Sequence, residues 1–571
     1  MAIPESKLAF QRHVRKLRDL GAESLAPPET IVSAVLYVWR KKNFPLLPSR
    51  APQGAASTIA SKEVEAFVSW LSGRSFLDSA YWLATAYAIL VSEEKRTKRA
   101  LFFTPPILAN RLIDQLIEGG ANLRAGSWHD PACGGAAFLV PVALRMASSL
   151  EEGGMTVRQQ LASISRRLSG NDLDPFLLKL SRALLEMALY VQISTCGVVP
   201  KFKLTCGDAL SPAERRKKVD VLVVNPPYRK LDRQETRRYL SSFSDVIQGQ
   251  PNIYNLFISQ AINKVRRGGF VGLLTPTSFL SGASFSKLRQ GILKECEVDT
   301  IDLLSERSMF MDVDQETAIT TFRKRRRNDD EKGLVALSVL REQEFKRIGD
   351  LELPEGGIPW PVPRSEGQAR ALQVAQPSPF RLGDYGYACG IGNLVAYRDK
   401  RPRFEAYLET MAAERKVLPL IWATDITVDG ELKVGRRTRF ERHQQFVEVL
   451  ATAKGVITRP AVVMQRLTSS DQKSRLVAAH LPAELLEKYG GVVCENHVIV
   501  LEATGEQLVS AEVLSRLLNS EFLNDVFRCI SGPNNVSVFE LKELMLPDPE
   551  RLIAAVEREG CIERAVEKAF G

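Results

Sequence analysis

Val219-Asp220-Val221-Leu222-Val223-Val224-Asn225-Pro226-Pro227-Tyr228 is the stretch on which the reading of this chain turns. Its first six residues are nearly continuous apolar sequence, the texture of a strand buried on both faces. Pro226 and Pro227 end the strand, since proline cannot donate to a sheet ladder and disfavours helix at the residue before it. Asn225 through Tyr228 are thus expected at the carboxyl end of a buried strand, where open α/β sheets gather their ligands.

The four residue types suit one chemistry. The exocyclic amine of a nucleobase is a poor nucleophile because its lone pair is delocalised into the ring. The Asn225 side-chain oxygen and a backbone carbonyl can accept both amino hydrogens, favour the pyramidal nitrogen and aim its lone pair at a methyl donor. Pro226 and Pro227 stiffen the loop, and the Tyr228 ring offers a stacking face for a base. A plain rigid turn after a strand is the alternative.

Working outward, three more strand ends carry suggestive residues. Asp130-Pro131-Ala132-Cys133-Gly134-Gly135-Ala136-Ala137 reads as a strand, a tight small-residue turn and then a helix, a turn that lets backbone approach a ligand closely. Asp172, in Ser169-Gly170-Asn171-Asp172-Leu173-Asp174-Pro175, can accept ribose hydroxyls at the end of a second strand. Asp208, after Cys206-Gly207, ends a third. Taken singly each acid is as readily a cap or turn residue; their order ahead of Asn-Pro-Pro-Tyr favours a nucleoside-containing cofactor.

Strands and helices alternate over residues 96–345, implying a mostly parallel sheet covered on both faces. Residues 1–95 read as helices interrupted by prolines, and residues 346–571 as a mixed, irregular α+β domain. Arg323 to Arg327 reads as a solvated turn that could graze DNA. The eight cysteines form no CxxC pair, and the five histidines form no metal motif, so neither a disulfide framework nor metal chemistry is expected. No segment approaches the roughly 18 apolar residues of a membrane helix, and no signal peptide opens the chain. A cytoplasmic, nucleoid-associated bacterial protein is expected.

The net charge is +10. Residues 201–240 hold eleven Lys/Arg against five Asp/Glu, and residues 431–480 ten against four. These windows account for more than the whole surplus, which points to polyanion contact at two places or to two solvated surfaces.

Together these motifs resemble the gamma class of DNA amino-methyltransferases, of the adenine-N6 restriction-modification type. The resemblance is specific over about residues 96–330 and looser beyond. It implies a Rossmann-like S-adenosylmethionine-dependent sheet at 96–345, a helical N-terminal region at 1–95 and a C-terminal target-recognition domain at 346–571. It implies that Phe103, Thr104 and Pro105 meet the methionine end of the cofactor, with Asp130, Ala132 and Gly134 forming the loop beneath. Asp172 falls at the ribose position, Asp208 at the adenine amino group and Leu173 against the adenine ring. Asn225, Pro226, Pro227 and Tyr228 match the catalytic motif, and Phe310 stands where a second base-stacking aromatic follows, although it could equally be core. Ala136 replaces the usual second glycine, which would narrow the space beside the cofactor.

Duplex DNA is the implied partner, with base flipping before transfer. Arg229 and Lys230 flank the catalytic loop, and Arg436, Arg437, Arg439, Arg459, Gln465 and Arg466 suit backbone and base edges. A separately encoded restriction endonuclease, a monomeric state and no metal requirement complete the expectation. Rival readings are a glutamine, RNA-base or cytosine-N4 acceptor, and a silent DNA-binding subunit. No nuclease pattern is seen in residues 1–95.

Overall fold

The computed structural model of the protein describes residues 3–48, 61–99, 101–304, 316–327, 333–408, 414–434, 444–468, 472–532 and 535–571. The chain forms two compact units, Met1–Thr277 with Lys287–Glu352, and Ser278–Ser286 with Leu353–Gly571.

The first unit is built on nine strands. They are β1 (Trp128–Asp130), β2 (Leu168–Asp172), β3 (Lys203–Cys206), β4 (Val219–Val224), β5 (Val265–Pro276), β6 (Cys296–Leu304), β7 (Thr317–Lys324), β8 (Val335–Arg341) and β9 (Glu344–Leu351). Their order is β3-β2-β1-β4-β5-β7-β6-β8-β9. The first five run parallel. β7 enters antiparallel between β5 and β6, and β9 closes the far edge antiparallel to β8. The expected parallel sheet is therefore correct from β3 to β5 and mixed beyond β5. β4, read as doubly buried, has every residue buried except Asp220, which is half-buried.

Among the described residues fourteen helices accompany these strands: α1 (Ile3–Glu23), α2 (Pro28–Asn43), α3 (Lys62–Ser72), α4 (Phe76–Leu90), α5 (Glu93–Arg99), α6 (Pro106–Glu118), α7 (Leu139–Glu152), α8 (Val157–Arg167), α9 (Pro175–Ala188), α10 (Tyr190–Cys196), α11 (Pro212–Arg215), α12 (Arg233–Phe243), α13 (Ile253–Lys264) and α14 (Ser286–Glu295). Local signals set their limits. Thr156 with Gln159 and Asp232 with Glu235 form capping boxes that satisfy free N–H groups at the starts of α8 and α12. α13 is buried at eleven of its twelve positions, because it lies inside the layers rather than on their surface.

The N-terminal helices do not form a body of their own. Phe10, Trp39, Phe67 and Tyr87 share one buried cluster with Leu112, Trp128, Phe138 and Leu185. Arg40 of α2 pairs with the buried Glu186 of α9 at 2.8 Å. A boundary at residue 95 is thus absent, because apolar faces that read as a self-contained helical region bury themselves against the sheet's helices. The second boundary lies at 352–353 rather than 345–346, since β9 still pairs with β8.

The second unit contains two four-stranded sheets. The first, fully antiparallel, has Tyr387–Ile391, Val498–Ala503, Ala461–Gln465 and Ala478–His480 in that order. The second has Arg403–Phe404, Phe446–Leu450, Arg415–Ile421 and Val493–Cys494, the last pair parallel. Trp360, fully buried, meets Phe279 edge-on at 5.9 Å, and its N–H donates to Leu280 O at 2.7 Å. These contacts make Ser278–Ser286 part of this unit.

Gly135 is the tightest contact between an N-terminal helix and the glycine turn. A Cβ placed there would lie 2.5 Å from the Ala84 Cβ of α4. Overpacking of this kind costs about 1–3 kcal/mol. Gly135→Ala is expected to lower the melting temperature in thermal denaturation, and Ala84→Gly in the same chain to recover part of the loss. Equal stability of Gly135→Ala and wild type would show that α4 does not hold this turn.

Candidate active site

Parallel register decides which side chains meet. Trp128 pairs with Leu168 and Val221, and Asp172 with Cys206, so β1 to β4 end at one edge of the sheet. Asp130, Asp172, Asp208 and Asn225 are brought together there around a cavity of about 470 Å³. Phe103, Thr104, Ala132, Gly134, Leu173 and Pro227 also line it. Its size is in the range of small-molecule sites. Pro105 caps the start of α6 and is outside the lining, as are Pro226 and Tyr228.

The glycine turn is strapped to the second strand. Gly134 N–H donates to Asp172 Oδ2 at 2.8 Å, Cys133 N–H to Asn171 O at 2.9 Å, and Ser181 Oγ to the Gly134 carbonyl. Gly134 has φ +48° and Ala136 φ +60°. Ala136 thus holds a left-handed conformation that costs a residue with a Cβ about 1–2 kcal/mol. Ala136 is fully buried and lines a small pocket with Tyr81, Ala84, Phe103 and Thr104, next to the main cavity's Phe103 and Thr104 wall. The departure from glycine is thus accompanied by backbone strain.

Asp172 accepts from two backbone N–H groups, Gly134 on Oδ2 and Asp174 on Oδ1, both at 2.8 Å. A carboxylate has about four acceptor places, so room remains for hydroxyl donors from the cavity. Leu173, beside it, is 66% exposed and gives the cavity an apolar wall. Asp174, buried, is held by the Tyr87 hydroxyl at 3.0 Å and Arg99 Nη1 at 2.5 Å, and caps α9 through Phe176 N–H at 2.9 Å. Sequence reasoning missed Tyr87 and Arg99, since nothing local ties them to a residue more than seventy positions away.

Asn225 is pinned at both ends of its amide. Nδ2 donates to Thr104 Oγ1 at 3.0 Å, and the Tyr228 hydroxyl lies 2.6 Å from Oδ1. The same hydroxyl is 2.8 Å from Leu274 O. Burial holds the Tyr228 phenol well above its usual range, so it remains a donor. Its ring stands edge-on to Tyr254, with centroids 6.4 Å apart. One acceptor place on Asn225 Oδ1 stays open. Thr104, expected only near a cofactor's methionine, thus also contacts the Asn225–Tyr228 loop. Phe310 lies outside the described residues.

The basic flank is largely engaged within the protein. Arg229 makes a bidentate pair with Glu235, both hydrogen bonds at 2.7 Å. Arg238 Nη2 reaches Asp208 Oδ2 at 2.9 Å, and the Tyr239 hydroxyl the same oxygen at 3.0 Å. Lys230, Arg233 and Arg237 are exposed. The D-x-x-E box at Asp232 and Glu235 was the available sign that acids balance this stretch. In the second unit Gln465 Nε2 donates to Ile426 O at 2.7 Å and Arg466 Nη1 to Asn496 O at 3.1 Å, while Arg459 is exposed. Arg436, Arg437 and Arg439 lie outside the described residues. No helix among the described residues is long and apolar enough to cross a membrane.

The family model for the Eco57I restriction-modification methylase matches residues 192–310, the stretch holding β3, β4, the Asn225–Tyr228 loop, α12 and β5. The type II methyltransferase M.PstI of Providencia stuartii is 23% identical over 353 residues, 59% of this chain and 66% of that protein. M.BsuBI of Bacillus subtilis is 23% identical over 346 residues, 58% and 66% respectively. The match thus spans about two thirds of the curated relatives' length. The type IIL restriction-modification enzyme MmeI, solved in complex with DNA, superposes with a TM-score of 0.55 at 10% identity, over 100% of this chain and 96% of that one. The chain shares its fold.

Burial, and secondarily the charge of Asp172, push Asp130 up to about 8. An acid whose folded value is raised favours the fold while it stays protonated. That contribution is complete below the ordinary value near 4 and is lost as pH climbs through 8. Between pH 6 and 8.5 stability should fall by about 2 kcal/mol. Thermal denaturation is expected to show wild type melting lower at pH 8.5 than at pH 6, and Asp130→Asn removing most of that slope. A flat wild-type profile would contradict the assignment.

Proposed function

We propose that this chain is a DNA methyltransferase that moves a methyl group from S-adenosylmethionine to the N6 of an adenine swung out of duplex DNA. The observation that carries the reading is Asn225, fixed by Thr104 and Tyr228 at the rim of a cavity whose other walls are the three strand-end acids. The family match and the type II methyltransferase relatives support a DNA acceptor. Adenine is favoured over other acceptors by the Asn-Pro-Pro-Tyr string itself.

The residues present fit the cofactor. Asp172 retains acceptor places for ribose hydroxyls, Leu173 offers an apolar face for a base, and the Gly134 turn brings backbone close to the cavity. S-adenosylmethionine supplies, when bound, a methyl group already activated on a sulfonium, so alignment is the protein's main task. The open lone pair of Asn225 Oδ1 accepts one amino hydrogen of the target base, and a loop carbonyl the other. Tyr228, tethered through its hydroxyl, keeps Asn225 oriented and presents its ring to a flipped base. Stacking of that kind contributes about 1–3 kcal/mol, comparable with the few kcal/mol that extrusion costs. The exposed Lys230, Arg233 and Arg237 are placed to meet phosphates beside the flipped nucleotide. In the second unit the exposed Arg459 suits contact with DNA phosphates in its own right.

The test is to incubate the protein with unmethylated genomic DNA and S-adenosylmethionine and to sequence by a method that detects modified bases. N6-methyladenine at one short recurring motif is expected. Asn225→Ala should lower it by at least about 100-fold, in line with losses on removal of a positioned catalytic donor or acceptor. Modified cytosine, or no modified base despite cofactor binding, would overturn the adenine reading.

A further inference from the structure

Asp208 is the strand-end acid whose surroundings are least explained by the fold. Its Oδ1 accepts Leu210 N–H at 2.9 Å, a turn contact. Its Oδ2 accepts both Arg238 Nη2 at 2.9 Å and the Tyr239 hydroxyl at 3.0 Å. Arg238 and Tyr239 come from α12, thirty residues onward, and line the same cavity as Asp208. Tyr239 is buried and Arg238 is 66% exposed, so the pair makes an inner aromatic wall and an outer charged lip. The guanidinium lies 5.2 Å from the Tyr239 ring centroid.

A carboxylate offers about four acceptor places. Three of those on Asp208 are filled, and the one left belongs to Oδ1. The carboxyl group cannot turn without breaking contacts to Leu210, Arg238 and Tyr239. Its free place therefore has a fixed direction and suits a single N–H donor, not a metal or a pair of hydroxyls.

α12 is also fixed to the catalytic loop. Arg229, the residue after Tyr228, is clamped by the two oxygens of Glu235, which also closes the capping box with Asp232. Ile253 N–H donates to Arg229 O at 2.9 Å, and Leu231 N–H to Pro251 O at 3.0 Å, so both ends of the loop are braced. Two charge-assisted contacts, Arg238 with Asp208 and Arg229 with Glu235, are thus joined through the backbone of α12, and the second lies next to Tyr228.

We infer that Arg238 and Tyr239 are positioning residues that aim the single free acceptor of Asp208 at the exocyclic amine of an adenosyl ligand and, through α12, link occupancy of that base pocket to the order of the catalytic loop. This rests on the reading of the cavity as an S-adenosylmethionine site. Two consequences follow that a purely structural α12 would not produce. The pocket discriminates by hydrogen-bond sense, since a base edge with a carbonyl in place of the amine sets two acceptors against each other. Filling the pocket also slows backbone opening along the loop and α12.

The probes are S-adenosylhomocysteine and S-inosylhomocysteine, in the second of which a carbonyl at C6 replaces the amine and N1 gains a proton. Calorimetry on the full chain should give at least about tenfold tighter binding of the adenosyl compound, the difference expected when a partly buried, charged acceptor loses its donor. Hydrogen exchange over residues 228–243 should slow when the adenosyl compound is bound. Arg238→Ala/Tyr239→Phe is expected to reduce the discrimination at least fivefold and to abolish the slowing, with Arg238→Lys recovering part of both. Melting temperature serves as the folding control. A wild type that binds neither compound overturns the cofactor reading and the inference with it. A wild type that binds and discriminates, beside a double variant with unchanged discrimination and unchanged exchange, overturns the inference alone.

Discussion

Parallel pairing of β2, β1 and β4 is the constraint from which the rest of the site descends. Parallel strands in register must end together, and here they end in Asp172, Asp130 and Asn225. β3 adds Asp208 two residues past its last pair with β2. No single loop creates the cavity. Each of these four residues is the last of a strand or one of the few just after it, held by the ladder behind it, so the acids and the amide have a set spacing. A one-residue slip of β4 against β1 would turn Asn225 to the other face of the sheet.

Around that edge the protein uses hydrogen bonds to fix side chains rather than to stabilise the fold broadly. Asp172 holds the glycine turn, Thr104 and Tyr228 hold the Asn225 amide, and Arg238 with Tyr239 hold Asp208. For Asp172, Asn225 and Asp208 the functional group keeps at least one acceptor place free while others are occupied. Such partial satisfaction is costly in a buried site unless something completes it, which is one reason to expect a ligand there. The raised position of Asp130 has the same origin, a carboxyl group in a pocket with few donors.

Much of this was legible in the sequence, and the legible part has a common character. β4, the glycine turn, the strand-end acids and the Asn-Pro-Pro-Tyr loop are each local, so their residue types declare them. What the sequence hid was distant pairing. Tyr87 and Arg99 reach Asp174 from the N-terminal helices, and Ala84 packs close to Gly135, so a region with no recognisable motif helps build the cavity's surroundings. The basic flank of the catalytic loop reads as a phosphate surface by charge count, yet Arg229 and Arg238 are paired to Glu235 and Asp208. Charge counting registers surplus and misses the acid that the fold brings back. Ala136 shows a further limit: the sequence reveals the missing glycine, but only the backbone shows that the result is a left-handed alanine.

The most direct measurement is an experimental structure of the protein with S-adenosylmethionine bound. The account predicts the cofactor along the carboxyl edge, with its ribose on Asp172, its adenine between Leu173 and Tyr239 with the amine on Asp208, and its methyl group directed toward Asn225. A target nitrogen held by Asn225 would then lie about 3–3.5 Å from that methyl carbon, the separation of a reactive pose. A cofactor bound elsewhere, or one whose methyl group points away from Asn225, would contradict it.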